Sequence, residues 1–185
     1  MRNLFQKAVG VLSLSANKTA MTANVVGTLV VLLLVIIINY DVVARGFFNR
    51  PFMGATEVVQ FSMVLIVFLQ LPDVVRVNRL TRSDGFLVVI GKRFPRVAAV
   101  ITHIIETVSA IFMALIAIAI WPEFTHMWET NDYFGIPGVF TAPWWPIKGV
   151  IFLSAFLCTV IFVLKVLSPA HKPELIRAPE LEDNP

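Results

Sequence analysis

TANVVGTLVVLLLVIII, residues 22–38, carries no charged side chain. A helix needs about 20 mostly apolar residues to cross the hydrocarbon core of a bilayer, so this run and its flanks predict a spanning helix over residues 20–44. Three further runs follow. Residues 58–75 are interrupted only by Gln60, Ser62, Gln70, Pro72 and Asp73, which predicts a second span over 57–76. Residues 97–121 form a third, odd in content because His103 and Glu106 lie within it. Residues 145–167 form a fourth, with Lys148 and Lys165 near its two ends, where long stems can snorkel to the headgroups.

Composition agrees with this reading. The 185 residues are 57% hydrophobic and 15% charged, with a mean hydropathy of +0.80, far from the values of a soluble domain. The fold class expected is therefore an all-α membrane protein of four transmembrane helices. The formal net charge of +3 does not imply nucleic-acid binding, because the cations cluster beside apolar runs, where anionic headgroups are the natural counterions.

Charge distribution sets the direction. The stretch between the second and third spans holds Arg76, Arg79, Arg82, Lys92, Arg93 and Arg96, whereas residues 122–146 hold no Lys or Arg. Cytoplasmic loops carry the excess of Lys and Arg, so these six are read as membrane-surface cations on the cytoplasmic side. Arg2, Lys7 and Lys18 before the first span, and Lys165, Lys172 and Arg177 at or after the end of the fourth, place both termini on that side too. Trp121, Trp128, Trp144 and Trp145 fall at the opposite face, half of an aromatic belt.

Two segments are expected to lie on the membrane. Residues 1–18 place Leu4, Phe5, Ala8, Val9, Leu12 and Ala16 on one helical face and polar residues on the other, the pattern of an interfacial helix; the stretch is too polar for a signal peptide. Residues 83–94 repeat the pattern, opened by Ser83 and Asp84. Residues 168–185, with four prolines and mixed charge, form a tail unable to build a core.

Few polar groups are placed to do chemistry. Asp41 and Arg45 are spaced i, i+4 at the outer end of the first span, and Glu57 opens the second, where a carboxylate complements a helix N-terminus. Two readings stay open, a helix-end ion pair plus a cap or a fixed corner that docks another protein. His103 and Glu106 are i, i+3 on one face; ionisable groups inside a span are expensive, so they are candidate interhelical contacts, with an ion or proton role as the other reading. The Ala23–Gly27 and Ala110–Ala114 pairs have the spacing that lets helices approach closely, and Asp73 and Arg76 are spaced to pair at the membrane edge.

No catalytic, cofactor or metal site is expected. The single Cys158 excludes a disulfide framework and a paired-thiol oxidase. With only His103 inside the membrane, the facing His pairs of a haem bundle are lacking. A small multidrug antiporter carries an acidic residue central to its first span, which here is uncharged, and four thin spans leave little room for a private substrate cavity.

The string NYDVVARGFFNRPFMGATE, residues 39–57, with Asn39, Asp41, Arg45, Phe48, Pro51, Gly54 and Glu57, resembles the signature of the small (Q-type) membrane subunit of tripartite ATP-independent periplasmic (TRAP) transporters. YFGIPGVFTAPWWPIK, residues 133–148, resembles that family's Gly-rich turn and Trp-Pro opening of the fourth span. The likeness covers roughly residues 22–165. It departs at NRLTRSDGF, residues 78–86, where many members carry a His and this chain has none.

The resemblance implies a scaffold subunit in the bacterial inner membrane. Its partners would be a large multispanning subunit, which moves a sodium-coupled organic acid by an elevator motion, and a periplasmic binding protein that delivers it. Asp41, Arg45, Arg50, Glu57, Glu129, Asp132 and Tyr133 are then candidates for docking the subunit or the binding protein. The alternative from another class is a homo-oligomeric small channel or proton-coupled exporter lined by His103 and Glu106. A membrane enzyme is a third, for which no nucleophile, metal cluster or cofactor motif speaks.

Overall fold

The computed structural model describes residues 2–50, 52–77, 93–136 and 140–167. The candidate interfacial helix over 83–94 therefore lies largely outside the described residues, and the tail over 168–185 entirely so. Four helices make up most of the rest: α1 (Arg2–Phe48), α2 (Ala55–Arg76), α3 (Pro95–Thr130) and α4 (Trp145–Leu167). All four are long and apolar enough to cross a membrane.

The segments 1–18 and 20–44, expected as separate helices, join in α1 without a break at residue 19. Its 47 residues extend about 70 Å at 1.5 Å per residue. Continuity follows from the seam that α1 turns inward. Val9, Ser13, Ala16, Ala20, Ala23, Gly27, Val30, Leu34, Ile37, Asp41 and Ala44 are buried or half-buried, alternating three and four residues apart as in a coiled-coil stripe, and Asn24 and Val31 widen that stripe as half-buried neighbours. The residues are small in the first half and larger in the second. Leu12 is exposed, and Ser13 takes the seam position beside it.

α2 returns antiparallel to α1. Gly27 lies so close to α2 that an added Cβ would stand 2.9 Å from Gln70 Cγ and 3.2 Å from Leu69 Cβ, the close approach that the Ala23–Gly27 spacing foretold. α4 packs on α3 and α2 and touches α1, which makes it the most enclosed helix: Ser154, Ala155, Cys158, Ile161, Phe162 and Leu164 are all buried. Ala110 of α3 joins Cys158 and Phe162 in the same core cluster as Ala16, Ala20 and Val75. α1 and α3 thus form the flanks, with α2 and α4 between them.

α3 is longer than the span expected over 97–121, running on through Pro122 to Thr130. Proline costs a helix one backbone hydrogen bond, but packing on α4 outweighs the loss. Glu123 pairs with Lys148, a Cβ on Gly149 would meet Phe124 at 3.2 Å, and the rings of Trp128 and Trp145 meet edge-on at 4.9 Å. Asn131, with φ 52°, ends the helix in the left-handed region.

A short antiparallel hairpin, absent from the sequence expectation of a simple Gly-rich turn, separates α3 from α4. β1 (Tyr133–Ile136) pairs with β2 (Phe140–Pro143) in the register Tyr133 to Pro143 and Ile136 to Phe140. Phe134 packs edge-on against Trp144 at 5.0 Å, and Trp144 N–H donates to the Asp132 carbonyl at 3.0 Å, tying the hairpin to the start of α4.

Candidate docking surface

The helix ends divide into two groups. The hairpin end gathers the C-termini of α1 and α3 and the N-termini of α2 and α4; the basic end gathers the opposite termini.

At the hairpin end, the α1–α2 connection is built around Asp41. Its Oδ2 accepts from Arg45 Nη2 at 2.9 Å and its Oδ1 accepts from the Phe52 backbone N–H at 2.8 Å. One carboxylate therefore fastens the end of α1 to the approach of α2. Asn49, with φ 53°, and Gly54, with φ 95°, supply the two left-handed turns that reverse the chain. Arg50 N–H closes on the Ala44 carbonyl at 3.2 Å, and Val58 N–H on that of Gly54 at 3.0 Å. Much of the quoted 39–57 string is thus explained by turn geometry, though Asn39 donates locally, to the Val35 carbonyl.

The two readings of this corner divide between its residues. Asp41 is enclosed, its side chain 13% exposed, while Arg45 is 64% exposed. The carboxylate holds the turn and the guanidinium faces out. Glu57 sits half-buried in the first turn of α2 and Arg50 is exposed; neither has an ion pair among the described residues. We predict an asymmetry. Asp41→Ala, which strips the Phe52 N–H of its acceptor, should lower the unfolding midpoint in detergent by several degrees, whereas Arg45→Ala removes only an exposed pair worth about 0–1 kcal/mol and should shift it little. Equal shifts would contradict that division of roles.

Across the same end, Glu129, Asp132 and Tyr133 are all exposed. Below them runs an aromatic ladder, Trp145 to Trp128 to Phe124 to Trp121 to Phe152, between α3 and α4. Lys148, read from sequence as snorkelling, pairs instead with Glu123 of α3.

The basic end carries a tie the sequence did not reveal. Asp73 accepts from Asn24 Nδ2 at 2.8 Å and from Arg76 Nε at 2.8 Å. Lys165 Nζ donates to the Val75 carbonyl at 2.5 Å, occupying an acceptor that the end of α2 leaves unpaired. Three helices meet there through polar groups. Asn24, the only amide in residues 22–38, was the available signal, but nothing local names a partner 49 residues away.

His103 and Glu106 meet each other, Nδ1 to Oε2 at 3.9 Å. Their side chains are 56% and 12% exposed. The register set by Phe124 on Gly149 and Trp128 on Trp145 brings the last described turn of α4 level with Glu106. Of the expected surface cations, Arg93 and Arg96 are exposed and Arg76 is engaged with Asp73. Arg79, Arg82 and Lys92 lie outside the described residues.

Among known families, the model described as "Tripartite ATP-independent periplasmic transporters, DctQ component" matches residues 34–171. No curated protein and no solved structure matched the chain.

Proposed function

The chain belongs to the DctQ component family of the tripartite ATP-independent periplasmic transporters, and from that membership we propose that it braces the large membrane subunit of such a system during sodium-coupled uptake of an organic acid. The chain is a small membrane subunit with transport, not enzyme, affiliations. In this reading it is a multi-pass protein of the bacterial inner membrane with both termini cytoplasmic, the basic end inside and the hairpin end in the periplasm.

One observation carries the brace. At both ends of the bundle charged groups tie one element to the next: Asp41 on the turn, Glu123 with Lys148, Asp73 with Asn24, Lys165 on Val75. Between these two polar levels, Lys148 and Lys165 are separated by about 25 Å along α4 at 1.5 Å per residue, near the hydrocarbon thickness of a bilayer. Ties at both levels and small-residue contact at Gly27 between them favour a rigid slab. The elevator subunit works against that slab, spans α1 to α4 widening its static part.

The test is drop-out reconstitution. The substrate is first identified as the carboxylate, from a panel of organic acids, that thermally stabilises the purified binding protein. Proteoliposomes with an inward sodium gradient should then accumulate it only when the small subunit, the large subunit and the binding protein are all present. Accumulation by vesicles holding this chain alone would overturn the proposal.

A further inference from the structure

Two ion pairs at the hairpin end point in opposite senses. In the pair on α1 the cation faces outward, Arg45 64% exposed over Asp41 at 13%. In the pair joining α3 to α4 the anion faces outward, Glu123 56% exposed over Lys148 at 18%. Each sign continues beyond its pair: Arg50 is exposed near Arg45, and Glu129 and Asp132 are exposed past Glu123, with no ion pair for any of the three among the described residues. Glu57, the other anion of the first corner, is half-buried in the first turn of α2, where the positive helix end offsets part of its charge. The two corners are held apart, one on the α1–α2 connection and the other at the end of α3, with α4 packed between α2 and α3. At 8–10 Å per helix–helix contact the separation is about 20 Å.

We infer that the hairpin end is a bipolar docking face, basic over the α1–α2 corner and acidic over the α3 corner, for a soluble protein that carries an acidic patch and a basic patch about 20 Å apart. The inference deepens the scaffold reading and rests on it, the partner being the transporter's own binding protein. Arg45 and Arg50 stand against Glu123, Glu129 and Asp132, so the face attracts by its charge pattern more than by its small net charge. Rim charges of this kind contribute little to affinity but steer encounter and reject wrong orientations. A partner rotated half a turn meets like charge at both corners. An anionic lipid surface fits the basic corner alone and is repelled by the acidic one, which sets it aside as the occupant.

The experiment uses the membrane complex in lipid nanodiscs with the purified binding protein as probe, and reads association rate by surface biosensor. Glu129→Lys with Asp132→Lys should slow association about tenfold at low salt, as should Arg45→Glu with Arg50→Glu. Because Arg45 also holds Asp41, Arg50→Glu alone is the second basic-corner variant, expected to slow association severalfold. All differences should shrink as salt rises from about 50 to about 300 mM. The quadruple reversal restores the original net charge, yet should stay slow because both poles are inverted. Association within twofold of the parent for the pole variants, or recovery in the quadruple variant, overturns the inference. Co-purification of each variant with the large subunit is measured alongside: loss of the large subunit from the parent complex refutes the scaffold reading itself, whereas normal co-purification with unchanged association refutes only the bipolar face.

Discussion

Gly27→Leu should be the most damaging single substitution in the spans, lowering the unfolding midpoint in detergent by 10 °C or so, while Gly27→Ala changes it by no more than a few degrees. Even a methyl group at this position comes within 2.9 Å of Gln70 Cγ and 3.2 Å of Leu69 Cβ, closer than carbon atoms comfortably approach. Alanine gains about 1 kcal/mol of helix propensity over glycine, which offsets the small displacement of the Gln70 side chain. Leucine adds three more carbons to a place with no room, and overpacking of this kind costs about 1–3 kcal/mol or more. Its consequence is a wedge between α1 and α2 at the point where they come nearest. The sole cysteine in the sequence, Cys158, is fully buried, so a thiol-reactive dye that labels it on unfolding gives the readout without further labelling. A Gly27→Leu protein that melts with the parent would refute the close α1–α2 contact.

Asp73→Ala should be nearly as severe, lowering stability by about 1–3 kcal/mol, because it removes the acceptor of two donors at once and leaves Asn24 and Arg76 partly enclosed without a partner. Asn24→Ala removes one donor and leaves the Asp73–Arg76 pair, so about 1 kcal/mol is expected. The combination tests the geometry. If Asn24 acts through Asp73, the double variant is less destabilised than the sum of the two single variants, again read by Cys158 accessibility on heating. Strict additivity would mean that the two side chains do not work as a pair.

What could be seen in the sequence was whatever a single segment encodes. Residues 22–38 announce a spanning helix by lacking charge, and the 145–167 run does so with a lysine near each end. Gly27 and Ala110 declared themselves as contact positions by size and spacing. The 39–57 string pointed to a family, and the structure gives much of it a physical cause in one carboxylate and two left-handed residues.

What remained hidden is tertiary. Pro122 followed by Glu123 reads as a stop, and only the Lys148 ammonium and the Trp145 ring on another helix show why α3 continues to Thr130. Two strands of four residues each are too short for alternation to register. The seam of α1 passes through Ser13 and Asn24, polar residues that periodicity assigns to the outside.

The most direct measurement of the central claim is the native mass of the complex extracted from its own membrane in mild detergent. The brace predicts this 20.6 kDa chain bound to a much larger multispanning protein. A homo-oligomer of this chain alone, with no larger membrane protein attached, would contradict it.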